Sequence, residues 1–136
     1  MYILCIIDGT TDNWSLPIAL GAGRHDWKVY IRTLESMVND FFRRETPAAR
    51  IRTMSFLKQY QAVVIEEGWV LFSRKIIENI RAISAIPIVY VIQSEGWSEE
   101  LQLHALISAK VDVVSLGGRK AETAARLRRL VERAYA

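Results

Sequence analysis

Three carboxylates stand directly behind apolar runs: Asp8 closes the run from Tyr2 to Ile7, and Glu66 with Glu67 close the run from Ala62 to Ile65. Acids at the mouths of buried strands could share a crevice and hold a hard cation such as magnesium, which takes oxygen ligands and keeps several waters. Acids also end many solvated strands, and that plainer reading is preferred, so no metal is assigned. His25 and His104 lack a cysteine, histidine or acid at ligand spacing, which leaves no zinc pattern. No Ser/His/Asp arrangement emerges either, so no catalytic residue is assigned and the chain is not expected to be an enzyme. Cys5 lies inside an apolar run with no histidine near it in sequence. That is the setting of a buried structural thiol, since free cysteine packs as a small hydrophobe. One cysteine builds no internal disulfide, in keeping with a reducing cytoplasm.

A second set of residues is suited to recognition rather than reaction. Trp14, Trp69 and Trp97 fall in or beside the connections that follow the first, third and fourth apolar runs, and only Trp27 lies elsewhere. Trp69 opens the run Val70, Leu71, Phe72, read here as a loop at the sheet edge. These aromatics either fold down to cap the core or form an exposed rim of the kind that marks a partner or ligand site. Large aromatics dominate interface hot spots. Near the end of the chain Arg119, Lys120, Arg126, Arg128, Arg129 and Arg133 crowd together and could meet a phosphate backbone or an acidic partner. Glu122 and Glu132 interrupt them, the pattern of a solvated amphipathic helix. The formal charge of +3 is mild, and no helix-turn-helix or zinc-finger spacing is present, so nucleic acid is not the expected partner.

The elements that must position these residues alternate regularly. At 136 residues with 51% hydrophobic content, the chain fits one domain, 1–136, with material for a substantial core. Tyr2 to Ile7 reads as a strand buried on both faces. It carries no basic flank or small-residue cleavage site, so it is not a signal peptide, and nothing reaches the roughly 20 apolar residues of a membrane span. A short helix is expected from Leu16 to Ala22, then strand two from Trp27 to Ile31. Thr33 can cap a helix with Leu34, Met37, Val38, Phe41 and Phe42 on one stripe. Thr46 before Pro47 is a restart signal, leaving open one broken helix or two, and the restarted segment carries Ile51, Met54 and Leu57. Strand three is Ala62 to Ile65. A helix follows with Ile76, Ile77, Ile80 and Ile83 facing the sheet, then strand four from Ile88 to Ile92. A helix capped by Ser98, strand five from Val111 to Leu116, and a last helix holding Ala124, Leu127, Leu130, Val131 and Ala134 inward complete the pattern.

Strands alternating with helices imply right-handed crossovers and a parallel sheet. The expected fold is α/β: a three-layer, five-stranded parallel sheet with helices on both faces, in the order 2-1-3-4-5, with 3-2-1-4-5 as the alternative. Under the first order the strand direction of travel reverses between strands one and three, where ligands collect beyond the carboxyl ends. Asp8, Glu66 and Glu67 are delivered there, with Gln93 and Ser94 next door.

From Tyr60 onward the chain resembles the receiver domains of bacterial response regulators. Tyr60, Gln61, Ala62, Val63, Val64, Ile65, Glu66 is similar to the strand ending in that family's phosphoacceptor aspartate. Ile86, Pro87, Ile88, Val89, Tyr90, Val91 is similar to its fourth strand, and His104 to Val114 to its fourth helix and fifth strand. The resemblance is best from Tyr60 to Leu116 and implies a flavodoxin-like, receiver-like fold. It also implies a degenerate site: Asp8 alone represents the family's acidic pair, because Ile7 holds the other place. Glu66 stands at the acceptor position, Ile92 replaces the switch hydroxyl, and Leu116 replaces the phosphoryl-binding lysine. Phosphotransfer is not expected from such a set.

The expected function is that of a pseudo-receiver: a cytoplasmic signalling or regulatory module that docks a protein partner or forms a homodimer. The candidate surfaces are the rim of Trp14, Trp69, Val70, Phe72 and Trp97 and the arginine face of Arg126, Arg129 and Arg133. No cofactor is assigned. Two alternatives remain open: a flavodoxin-like nucleotide or flavin binder using Gly9 to Asn13 as its phosphate loop with Trp69 stacked on the ring, and nucleic-acid contact through the basic last helix. The loop has one glycine and an opposing Asp12, short of a full phosphate motif.

Overall fold

The computed structural model describes residues 1–7, 26–44, 46–66, 70–92 and 111–115, together with Ala125, Arg128, Arg129 and Glu132; side chains at 70–74, 92 and 112–115 are not among those described. Strand β1 (Tyr2–Ile7) is the axis of a parallel sheet. On one side it pairs with β2 (Lys28–Thr33), from Tyr2 opposite Lys28 to Ile7 opposite Thr33. On the other it pairs with β3 (Ala62–Glu66), from Ile3 opposite Ala62 to Ile6 opposite Ile65. Next to β3 lies β4 (Ile88–Ile92), with Glu66 opposite Val91. The order β2-β1-β3-β4 decides between the two arrangements the sequence leaves open, because β1 is bonded to both β2 and β3. The segment β5 (Val111–Ser115) runs parallel to β4, from Ile88 opposite Val111 to Ile92 opposite Ser115.

Side chains alternate between the faces of a strand, and in β1, β3 and β4 both faces are buried, which is why these strands read as nearly unbroken apolar runs, whereas β2 is largely exposed. Leu4, Ile6, Val63, Ile65, Ile88 and Tyr90 enter one core with Leu34, Met37, Phe41, Phe42, Leu57, Ile76, Ile77 and Ile80. Ile3, Cys5, Ala62, Val64, Val89 and Val91 enter a second, joined by Trp27. Strand two starts and ends later than the expected Trp27 to Ile31. Its span follows from its partner: β1 ends at Ile7, which meets Thr33, while Trp27 turns into the second core at 7% exposure.

The helices described here cover the first core. Thr33 is extended (φ −86, ψ 156) and its Oγ1 accepts from the Ser36 N–H at 3.1 Å, starting α1 (Leu34–Met37). The chain then widens into a π-helical turn over Val38–Phe42, which the 3.6-residue stripe did not announce. Such turns are uncommon and recur at functional sites. A new helix, α2 (Pro47–Leu57), begins where Thr46 Oγ1 accepts from Ala49 N–H at 3.1 Å, with Pro47 in its first turn. There are two helices here, then, not one broken one.

The orientation of α2 departs from the sequence expectation. Ile51 is 65% exposed and Met54 38%, while Thr53 and Leu57 are buried. The Phe56 ring stacks on Phe41 at 4.4 Å and sets the helix rotation. Thr53 can go inward because its hydroxyl donates to Ala49 O at 2.9 Å, which satisfies the polar atom within the helix.

Helix α3 (Val70–Ile83) buries Ile76, Ile77 and Ile80 as expected. It also takes in Val70, Leu71 and Phe72, which are the start of a helix and not a loop. The four-residue spacing of Phe72, Ile76 and Ile80 extends the helical period backwards, and that period outweighs the strand-end position. From the last turn of α3, Arg81 Nη1 donates to Ile86 O at 2.6 Å and Ser84 O at 3.3 Å, fastening the turn into β4. Ala125, Arg128, Arg129 and Glu132 are helical, within the expected last helix. Among the described residues no helix is long and apolar enough to cross a membrane.

Candidate functional site

Ile6 pairs with Ile65, so Ile7 and Glu66 follow one step further along neighbouring strands, at the carboxyl end of the sheet. This is the location where an open parallel sheet collects ligands. Glu66 is 2% exposed. The sequence suggested a solvated carboxylate at a strand mouth, and this residue corrects that expectation. Glu66 is still inside the ladder, with β1 on one side and Val91 of β4 opposite it, so the strand ends below the surface rather than at it.

By alternation Glu66 shares the face of Ala62 and Val64, and Cys5 lies opposite Val64. The two side chains are close enough to feel one another. Burial pushes the Cys5 thiol far above its ordinary 9.0, and the negative charge of Glu66 pushes it further in the same direction. A thiol so held is protonated and inert, because only the thiolate is a nucleophile or metal ligand. Cys5 is therefore the structural residue that its apolar surroundings imply, and it is buried.

The remaining rim residues divide plainly. Ile92 is the last residue of β4, at the position the resemblance gives to the switch hydroxyl. Asp8, Glu67, Leu116, Trp14, Trp69, Trp97, Arg126 and Arg133 lie outside the described residues. Val70 and Phe72 are placed in α3, and Arg129 is helical and exposed. Among the described residues no group of three or more histidines, cysteines, aspartates or glutamates could hold a metal ion.

A different constellation is one that reading for motifs missed. Rings run from the amino end of β1 across to the helices: Tyr2 to Tyr30 at 6.0 Å, Tyr30 to Tyr60 at 5.7 Å, Tyr60 to Phe56 at 5.3 Å, then Phe56 to Phe41. Arg32 is the hub of this row. Its guanidinium lies 5.3 Å from the Phe41 ring centre and 5.2 Å from Phe56, and it donates to Asp40 Oδ2 at 2.5 Å and to Ser36 Oγ at 3.2 Å. The signal was available: Lys28, Tyr30 and Arg32 alternate along β2 and so share one face. Its meaning needed α2, whose rotation no strand pattern reveals.

Beside this hub, between the π-helical turn and the start of α2, is a cleft of about 340 Å³ lined by Arg43, Arg44, Arg52, Asn39 and Thr46 among others. No family model matches the chain, and no curated protein matches it.

Proposed function

We propose that the chain is a phosphorylation-independent receiver-like module, regulatory in role, that acts by docking a protein partner or pairing with itself and transfers no phosphoryl group. The complete fold in this reading is the three-layer, flavodoxin-like sheet of five strands in the order 2-1-3-4-5, with helices on both faces. The observation that carries it is the position and burial of Glu66. It ends the strand beside β1, where the resemblance puts a phosphoacceptor, yet it is 2% exposed.

An acceptor carboxylate must meet its donor in line while cations and donors neutralise the transferring group. A glutamate enclosed between β1 and β4 is poorly placed for that. Ile92 and Leu116 also supply neither the hydroxyl nor the lysine that the resemblance would require. A carboxylate fixed at this rim suits a module whose surface is permanently in one state. Docking then falls to the arginine face of Arg126, Arg129 and Arg133 or to the tryptophan rim, in the cytoplasm and without a cofactor.

Incubation with acetyl phosphate and magnesium, read by intact mass, is expected to leave the chain unmodified. A stoichiometric phosphorylated carboxylate at Asp8, Glu66 or Glu67 would overturn the proposal. Sedimentation at high protein concentration tests the docking half. Association that is weakened by replacing Arg126, Arg129 and Arg133 with alanine is expected, and a strict monomer that captures no partner counts against it.

A further inference from the structure

Four guanidinium groups, Arg43, Arg44, Arg50 and Arg52, fall between positions 43 and 52, and all four are exposed. The acids nearby in sequence are Asp40 and Glu45, of which Glu45 is outside the described residues. Three of these arginines, with the amide of Asn39 and the hydroxyl of Thr46, line the cleft of about 340 Å³. Asp40 also lines it, but its carboxylate is bonded to Arg32, which reaches it from β2 and is itself braced against the rings of Phe41 and Phe56. Among the described residues of the lining the negative charge is thereby offset from outside, and Arg43, Arg44 and Arg52 are left in excess.

Two features make this more than a run of surface charge. Arg52 is supported by the Phe41 ring, 5.4 Å from its centre, and Phe41 belongs to the π-helical turn that forms the other wall. The wall opposite is the first turn of α2, which holds no acidic side chain and presents the positive end of its dipole. Guanidinium forks match phosphate oxygens in pairs, whereas an ammonium acts as a point charge. The volume lies at the lower end of the range, about 300–1,000 Å³, that small-molecule sites occupy.

We propose that this cleft binds a small polyphosphate anion, held by Arg43, Arg44 and Arg52 as a converging set. More positive charge is gathered than one orthophosphate would need, which favours linked phosphoryl groups, free or as the tail of a nucleotide. The site shares no residue with the Glu66 rim, so it stands or falls independently of the receiver-like reading.

The test is calorimetric titration of the full chain with tripolyphosphate, ATP and orthophosphate. Saturable binding of one tripolyphosphate per chain is expected, at least tenfold tighter than orthophosphate. ATP binding with comparable strength assigns the tail of a nucleotide as the source, and tripolyphosphate binding alone assigns the free anion. Arg43→Ala and Arg44→Ala, both at exposed positions, should each weaken tripolyphosphate at least tenfold, while the charge-matched Lys75→Ala, at an exposed position of α3 outside the cleft lining, changes it less than twofold. Circular dichroism of each variant separates lost binding from lost fold. No saturable binding, an equal loss in Lys75→Ala, or tighter binding of a single-stranded oligonucleotide than of tripolyphosphate would overturn the proposal.

Discussion

Cys5 and Thr46 make opposite uses of a small side chain. The Cys5 thiol is closed off, and burial reinforced by the Glu66 charge keeps its proton on. A thiol reagent should therefore leave the native chain unlabelled and react only once denaturant is added. The same shift has a consequence for stability. The folded thiol holds its proton more tightly than the unfolded one, so the unfolded chain loses protons first as pH rises. Tyr60 shifts upward too, chiefly through burial, with Arg32 opposing and Tyr30 adding to it. Stability is thus intact below 9.0 and falls as pH climbs past the ordinary values of 9.0 and 10.0. Urea midpoints across that interval should drop, and Cys5→Ala should show the shallower decline. At Thr46 the hydroxyl caps α2, and removing it in Thr46→Ala should cost about 1 kcal/mol by urea unfolding.

At the level of elements, the strands were legible and the helix faces were less so. Runs such as Ala62 to Ile65 announce themselves, because a strand buried on both faces leaves no ambiguity of phase, although the strand itself runs one residue further, to Glu66. Capping was legible for the same local reason: Thr33 and Thr46 are followed at once by the helices they start. The rotation of α2 was not, since Ile51, Met54 and Leu57 offer one stripe and Thr53, Phe56 and Leu57 another. The choice is made by the Phe41 ring, contributed by a different element. Nor does a sequence mark a π-helical turn, which keeps the same residues inside while changing which of them stack. Glu66 was found as a residue but misjudged in its surroundings, because its enclosure depends on how far β1 and β4 extend beside it. This assignment has a direct test. Ile51→Lys should leave the urea midpoint nearly unchanged, whereas Leu57→Ala, which opens a cavity in the first core, should lose about 2–5 kcal/mol.

For the molecule as a whole, the order of the strands ranks their security. β1 and β3 are bonded on both sides and their core residues Ile3, Leu4, Val63 and Val64 have no exposure, while β2 carries Tyr30 at 46% and Ile31 at 56%. Amide hydrogens of β3 should outlast those of β2 in deuterium exchange, and the reverse ranking would contradict the pairing described here. Because β1 is bonded to β2 and to β3 and its alternate residues feed the two cores, a single unfolding transition is expected across both.

That outer strand also explains a choice of residues that has nothing to do with recognition. Lys28, exposed at the start of the strand, stands before Tyr30 and Ile31, so any second chain trying to zip onto this flank would bring its backbone against a cation, whereas the Arg32 charge is already paired with Asp40. It acts as a fence. With Lys28 made neutral, the chain would be expected to self-template into fibrous deposits more readily, a hazard that thioflavin fluorescence over days at high concentration would expose.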